Sequence, residues 1–254
     1  MLRCLAPIAA AIAFASPAAA QQAVGKAVAI TVNVTGARDA DSRRLGKGDG
    51  IFEHERISTD AKGTGQFELL DQTRLAVGPG SSVKLDQFVY NSDKKATAVA
   101  IEVGRGALRF ISGRSESKVY SIRTPAATLG VRGTVFDIYV APDGEMAVAM
   151  IEGGIEICPR GGACRMHDVV GRFLRLTPAG VFSLHDRWDG TLLGGMTFGA
   201  ALPFLAAQNV LTPAFRARPA VASRYIGAIP KALKETGKAV PNLLKPLKQL
   251  NPFR

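Results

Sequence analysis

TPAATLGVRGTVFDIYV, the stretch from Thr124 to Val140, is the most informative part of the chain. It joins a Thr-Pro pair, a Gly-Val-Arg-Gly-Thr segment and a run of alternating apolar residues. Proline and closely spaced glycines are incompatible with a regular helix, so we expect the chain to bend before Thr134. Beyond the bend, the alternation places Phe136, Ile138 and Val140 on one face of a strand. The stretch therefore predicts a turn that leads into a core strand.

Six residues of this stretch are candidate site residues, termed the signature residues: Thr124, Pro125, Gly130, Arg132, Gly133 and Thr134. Arg132 stands between two glycines. Its guanidinium could bind a backbone carbonyl or a buried carboxylate and so lock the turn, or it could be presented to a partner. The structural lock is the favoured interpretation. Gly133 is expected to adopt a backbone conformation that is closed to residues with a β-carbon.

The rest of the chain before residue 190 reads as short strands separated by turn residues. Eleven strand-like runs are present, at residues 27–34, 65–70, 73–77, 81–90, 97–103, 106–112, 117–123, 134–140, 145–151, 154–158 and 171–178. The segment Ala141-Pro142-Asp143-Gly144 lies between two of these runs and predicts a hairpin turn. Almost no helical periodicity interrupts the pattern, so it predicts an all-β domain. Glycines at strand ends fit either a solenoid-like coil, which is favoured, or a strongly twisted two-sheet domain.

The region from residue 28 to residue 176 resembles the FecR-domain family. Besides the signature stretch, the resemblance rests on residues 45–60, 69–85, 101–110 and 147–157. Proteins similar to the founding members carry a cytoplasmic anti-sigma segment, one membrane span and a periplasmic FecR domain. They pass a signal from an outer-membrane transporter to a sigma factor. Only two residues precede the apolar N-terminal run here, so we expect no cytoplasmic segment. The resemblance then implies a periplasmic, non-enzymatic β module that binds another envelope protein.

The first twenty residues are expected to be a secretory signal peptide. Arg3 precedes an uncharged run that ends in Ala18-Ala19-Ala20, which favours cleavage before Gln21. An uncleaved anchor is the alternative, but the run is shorter than the roughly 20 apolar residues that a membrane span needs. Cleavage would remove Cys4. The mature protein is therefore expected in the periplasm or outside the cell.

The net charge of +11 is concentrated after residue 190, where nine lysines and arginines face Glu235 alone. The uncharged segment 190–215 contains Pro203 in its middle, four glycines and the pair Gln208-Asn209, which favours a helical hairpin or packing on the β domain over a membrane span. The last segment has an apolar helical face with lysines opposite it, which suits an anionic membrane surface or a solvated tail. Its candidate surface-binding residues are Lys231, Lys234, Lys238, Lys245 and Lys248. The predicted division is a signal peptide at 1–20, a FecR-like β domain at 21–185 and a basic, partly helical region at 186–254.

Cys158 and Cys164 flank a Gly-Gly loop, and in an exported protein such a pair predicts a disulfide. A zinc site is the alternative, because His167 and Asp168 follow at once. The disulfide is favoured, since a second cysteine pair is missing.

No catalytic motif is evident. The three histidines, His54, His167 and His185, lie in unrelated contexts, and no nucleophile elbow or HExxH helix is present. The aromatic residues of the β region alternate with apolar residues rather than basic ones, which disfavours nucleic-acid binding. We therefore predict neither an enzyme nor a cofactor.

Two functions remain open from the sequence. The first is a sensory or regulatory module that binds a receptor or a membrane-bound signalling protein through strand edges and the signature turn. The second is a structural envelope protein, a spacer or adhesin, that its basic tail tethers to the envelope.

Overall fold

Fifteen strands and three short α-helices make up residues 22–227, the part of the chain that the computed structural model describes. The strands are β1 (Gly25–Thr31), β2 (Val34–Arg38), β3 (Asp41–Arg44), β4 (Gly50–Ile51), β5 (Arg56–Thr59), β6 (Thr64–Leu69), β7 (Arg74–Val77), β8 (Ser82–Tyr90), β9 (Ala96–Ile111), β10 (Tyr120–Arg123), β11 (Ala127–Val140), β12 (Met146–Pro159), β13 (Arg165–His167), β14 (Phe173–Leu176) and β15 (Phe182–His185). The helices are α1 (Phe198–Ala201), α2 (Pro203–Ala206) and α3 (Pro219–Gly227). Single 3-10 turns lie at Ser117–Val119, Leu192–Gly195, Gln208–Val210 and Pro213–Phe215. The predicted signal peptide and the five tail lysines lie outside the described residues.

Three long strands, β9, β11 and β12, run through two halves of one open, mixed sheet and change partners on the way. The first part of β9 pairs with β8 and, in parallel, with β10; its last part pairs with β7 and β11. β10 thus separates β9 from β11 in one half, while the two strands pair directly in the other half. We name the half that contains β10 layer A and the half in which β9 and β11 pair directly layer B.

Layer A has the strand order β3-β2-β5-β8-β9-β10-β11-β12-β13. Layer B has the order β4-β1-β6-β7-β9-β11-β12-β14-β15. Apart from the β9–β10 pair, the named strands pair antiparallel. The all-β prediction is confirmed, and the strands form one open, mixed sheet.

The inner faces of both layers share one hydrophobic core. Layer A contributes Ile101 and Leu129 among others, and layer B contributes Phe110 and Phe136. The Phe110 ring stacks on Phe136 with the centroids 5.6 Å apart and meets Tyr120 edge-on at 5.5 Å. Aromatic pairs of this kind contribute about 0.5–1.5 kcal/mol each beyond their burial. The predicted inward face of the signature strand is therefore correct.

The corner between the layers depends on glycine. Gly133 in β11 has φ 63° and Gly153 in β12 has φ 74°, values that residues with a β-carbon rarely adopt. A β-carbon on Gly153 would lie 2.5 Å from the carbonyl oxygen of Gly133 and 2.8 Å from Cγ2 of Thr134. The register of β11 on β12 shifts at this point, between Arg132 and Val135. The predicted bend is thus a bulge inside a long strand rather than a loop between two elements.

The segment from residue 188 to residue 227, named the C-terminal cover, packs on the outer face of layer B. Its apolar side chains form a second core with residues of β12 and β14. The members of that core from the cover are Trp188, Leu192, Leu193, Phe198, Ala201, Leu202, Leu205, Ala217 and Tyr225. Trp188 and Phe173 meet edge-on, with ring centroids 5.2 Å apart. The predicted packing of segment 190–215 on the β domain is what the structure shows. Within residues 22–227, no helix is long and apolar enough to cross a membrane.

Candidate functional site

The Thr-Pro pair of the signature forms the tight hairpin between β10 and β11. Thr124 is buried, and its hydroxyl both accepts a hydrogen bond from the amide of Ala127 and donates one to the Ala127 carbonyl, each at 3.0 Å. The amide of Thr124 donates to the same carbonyl at 2.8 Å. Pro125 occupies the second position of this turn, where its fixed φ suits the geometry. These residues hold the hairpin and have a structural role.

Thr134 joins the corner of β11 to the end of β9. Its amide donates to the hydroxyl of Ser112 at 2.6 Å, and its carbonyl accepts from the Ser112 hydroxyl at 2.8 Å and from the Ser112 amide at 3.0 Å. Thr134 is itself buried. The corner is therefore held by a serine–threonine pair and by glycine conformation.

Arg132 points into solvent from the same corner. Its side chain is 64% exposed, and its nearest carboxylate, Glu156, lies at 3.9 Å and is itself 42% exposed. Such a surface pair contributes under about 1 kcal/mol. Among the described residues, its guanidinium makes no hydrogen bond to a backbone carbonyl, so the contacts that the lock interpretation predicts are not there. The arrangement is that of a presented arginine.

A groove of about 580 Å³ opens beside Arg132. It is lined by Glu116, Lys118, Tyr120, Gly130, Val131, Arg132 and Glu156. Two carboxylates and two cations thus stand around one open surface. Glu116 and Lys118 form an exposed ion pair at 2.8 Å, which lowers the pKa of the glutamate and raises that of the lysine. The groove offers both signs of charge, as expected of a surface that recognises another polar surface.

The floor of the groove is rigid. Tyr120 is buried, and its hydroxyl donates to Asp71 Oδ2 at 2.7 Å and accepts from the Thr73 hydroxyl at 3.2 Å. Ser115 also donates to Asp71 Oδ2, at 2.9 Å. Burial raises the pKa of the Tyr120 phenol, which therefore stays protonated and can keep donating to the carboxylate. The polar network connects the floor of the groove to the loop between β6 and β7 and to the loop before β10.

Outside this groove, the two layers differ in what covers them. On layer B, the outward residues Ala149 and Phe173 pack under the C-terminal cover. On layer A, outward residues form a row across five strands, in which each residue is the register partner of the next. The row is Arg56, Lys84, Glu102, Arg123 and Thr128. No part of the described chain packs over this row. The outer face of layer A, with the Arg132 groove at its corner, is therefore the open polar surface of the described residues.

A buried ion pair under the cover was not foreseen from the sequence. Arg109 of β9 donates to both oxygens of Asp137 in β11, at 2.6 and 2.8 Å, and both side chains are buried. The guanidinium also donates to the Phe215 carbonyl at 3.1 Å and to Gln208 Oε1 at 3.3 Å. Burial raises the pKa of the Asp137 carboxyl, and Arg109 opposes that rise. The signal in the sequence was a single charged residue between apolar neighbours on each strand, Arg109 between Leu108 and Phe110 and Asp137 between Phe136 and Ile138.

Cys158 and Cys164 form a disulfide, as predicted. His167, the third ligand of the alternative zinc site, is buried in β13, and burial lowers its pKa to about 4. Its backbone pairs with Ile155 in β12. Within residues 22–227, no group of three or more His, Cys, Asp or Glu side chains could hold a metal ion. The two cysteines thus have a structural role.

The other two histidines lie apart from each other and from the disulfide. His54 is exposed in the turn before β5, and His185 of β15 shares a hydrogen bond of 2.8 Å with Ser183.

One protein-family model matches part of the chain. Residues 55–156 match the model of the family described as FecR protein, which confirms the FecR resemblance. The match runs from β5 through most of β12 and includes the signature stretch. No curated protein matches the chain.

Two crystal structures are similar to the chain, at 2.50 Å and 1.65 Å resolution, each of a candidate anti-sigma factor from Parabacteroides distasonis. Each is 21% identical, with a TM-score of 0.42 and a match over 51% of this chain. The chain covers 58% of each solved protein, little more than half of its length.

Proposed function

We propose that this chain, which carries a FecR domain, is a non-enzymatic signalling or regulatory module of the cell envelope that binds another envelope protein through the outer face of layer A. The match to the FecR family supports a signalling or regulatory role. The observation that carries the binding surface is the solvent-presented Arg132 at the mouth of an open groove.

The asymmetry of the two layers supports this choice of surface. The outer face of layer B buries its apolar residues under the cover, so that face is already occupied by the chain itself. The outer face of layer A carries Arg56, Lys84, Glu102 and Arg123 in one row. Charged residues of both signs give specificity and orientation to protein association more than they give affinity. A protein partner with a matching charge pattern fits this face.

We also propose that the protein is exported and acts in the periplasm. The proposal rests on the predicted signal peptide and on the disulfide, a bond typical of oxidising compartments. Intact mass of the protein recovered from the periplasm should correspond to a chain that begins at Gln21. A retained N-terminus would replace this proposal with an anchored protein.

Site-specific photo-crosslinking in cells tests the binding surface. A photoreactive amino acid at position 132 should give an adduct with an envelope protein, whereas the same group at the exposed Lys26 of β1 should not. Purified parent protein should compete for the adduct, and Arg132→Glu protein should compete poorly. Identical adducts from both positions, or equal competition by the variant, would refute the proposed surface.

A further inference from the structure

A second concave site lies on layer A, at the ends of β2, β5 and β8. It is lined by Ala37, Arg38, Asp39, His54, Arg56 and Lys84 and has a volume of about 560 Å³. Three cations therefore surround this site with a single carboxylate. Asp39 and His54 lie in turns, where they adopt φ 52° and φ 65°. We name it the basic pocket.

Two cations of the basic pocket stand directly opposite each other across adjacent strands. Arg56 of β5 is the register partner of Lys84 in β8. Like charges in this position repel each other and destabilise the sheet. Lys84 is compensated by Asp86 at 2.8 Å. Arg56 donates to the hydroxyl of Ser82 at 3.2 Å and has no carboxylate partner among residues 22–227. Arg56 is thus a cation in a concave site without a carboxylate partner among the described residues.

We propose that the basic pocket binds carboxylates of an acidic segment on the protein partner. This inference rests on the proposed function, because it assigns the pocket to the same partner-binding face. The planar guanidinium of Arg56 matches a carboxylate in two-point geometry, and Lys84 adds a second positive charge beside it. The small side chain of Ala37, next to Arg56 in the register, leaves room for the incoming group.

The charge pattern around the pocket favours a protein over a uniformly negative polymer. Glu102 pairs in register with Lys84, and Asp86 lies between Lys84 and Arg123, 2.7 Å from the arginine. A nucleic acid or an anionic membrane laid across this face would bring its phosphates against both carboxylates. A protein segment can place acidic side chains at the pocket and other residues beyond it.

The test uses the full chain and a blocked synthetic peptide in which four glutamates alternate with serines. Hydrogen exchange is followed at the backbone amides of the two pocket turns, residues 38–41 and 52–56. The readout is confined to the amides of the pocket turns, and the double variants below separate binding at the pocket from binding elsewhere on the chain. We expect exchange in both turns to slow about twofold or more, which is what a site at least half occupied gives. The effect should fade in high salt.

Two double variants decide the outcome. Arg56→Gln/Lys84→Gln should abolish the protection, while Lys26→Gln/Lys47→Gln, which removes the same charge from exposed positions elsewhere, should retain it. Protection that survives in the pocket variant overturns the inference. Protection by inorganic pyrophosphate but not by the peptide also overturns it, in favour of a small-anion site.

Different results would refute the proposed function and the pocket inference. If the Arg132 crosslink persists in the pocket variant and the peptide gives no protection, the pocket inference is wrong and the binding surface stands. If the peptide protects the turns and the Arg132 crosslink is absent, the pocket binds acidic groups and the proposed surface is wrong.

Discussion

Replacing Arg109 with methionine should lower the free energy of unfolding by about 4 kcal/mol. The side chains of Arg109 and Asp137 are 0% and 2% exposed, so the substitution leaves the carboxylate buried without its partner. Loss of one member of a buried ion pair costs about 3–5 kcal/mol. The Phe215 carbonyl loses its donor as well, which keeps the expected value above the lower end of that range.

The assay is urea unfolding followed by the fluorescence of Trp188, the single tryptophan, and by circular dichroism of the strands. Trp188 lies in the C-terminal cover, whereas the circular dichroism reports mainly on the sheet. Arg109→Met should shift both transitions. The matched control is Arg109→Met/Asp137→Leu, which removes both charges and should recover at least half of the loss, because an apolar pair replaces the ion pair.

The loss of unfolding free energy caused by Arg109→Met should also depend on pH. Burial raises the pKa of Asp137 above its ordinary value of 3.8, and removal of Arg109 raises it further. A raised folded-state pKa favours the protonated form, so the variant is most stable below the unfolded pKa and loses stability as pH rises. The difference from the parent should therefore be smaller at pH 4 than at pH 7. A loss below about 1 kcal/mol, or an equal loss in the double variant, would refute the reasoning.

Three further outcomes are expected. Gly133→Val should destabilise the protein by about 1–3 kcal/mol in the same assay, because φ is 63° there, while Gly130→Ala, whose added carbon meets no atom closer than 3.9 Å, should cost less. Arg132→Ala should change the melting temperature little, since its surface ion pair is worth under about 1 kcal/mol; a fall of several degrees would restore the lock interpretation. Cys158 and Cys164 should resist thiol labelling until a reductant is added, and two reactive thiols in exported protein would contradict the disulfide.

Alternation of apolar residues was sufficient to find most of the strands. The predicted runs at 65–70, 73–77 and 81–90 correspond closely to β6, β7 and β8. The hairpin turn at residues 141–144 is also confirmed, with the amide of Ala141 bonded to the Glu145 carbonyl at 2.8 Å. These elements depend on neighbours close in sequence, and the local pattern contains what determines them.

Continuity of the long strands could not be predicted in the same way. The glycines at 104 and 106 separate two predicted runs, yet β9 continues through both, because Gly106 with φ 90° bends the strand around Ser81 without ending it. The same holds for Gly153 and β12. Whether a glycine ends a strand or bends it depends on pairing partners that are far away in the sequence.

Exposure and charge were harder still to predict. Arg132 was expected to be held by the turn, and the structure places it in solvent. Arg109 and Asp137 have the pattern of ordinary strand residues, because the cover that buries them begins only at Trp188, far along the chain from both. The uncharged segment 190–215 did indicate burial, but its apolar composition did not reveal which surface it packs on.

The C-terminal cover changes where the chain can be cut. A fragment restricted to residues 55–156 would lose β1, the register partner of β6, and also β14, which pairs with β12. A fragment ending at residue 185 would keep all fifteen strands but would leave Phe173 and the Arg109–Asp137 pair facing water. The stretch that matches the family model is thus shorter than the piece that contains all the paired strands and the cover. Soluble fragments for biophysical work should extend through residue 227, and any phenotype of a shorter truncation reports first on unfolding.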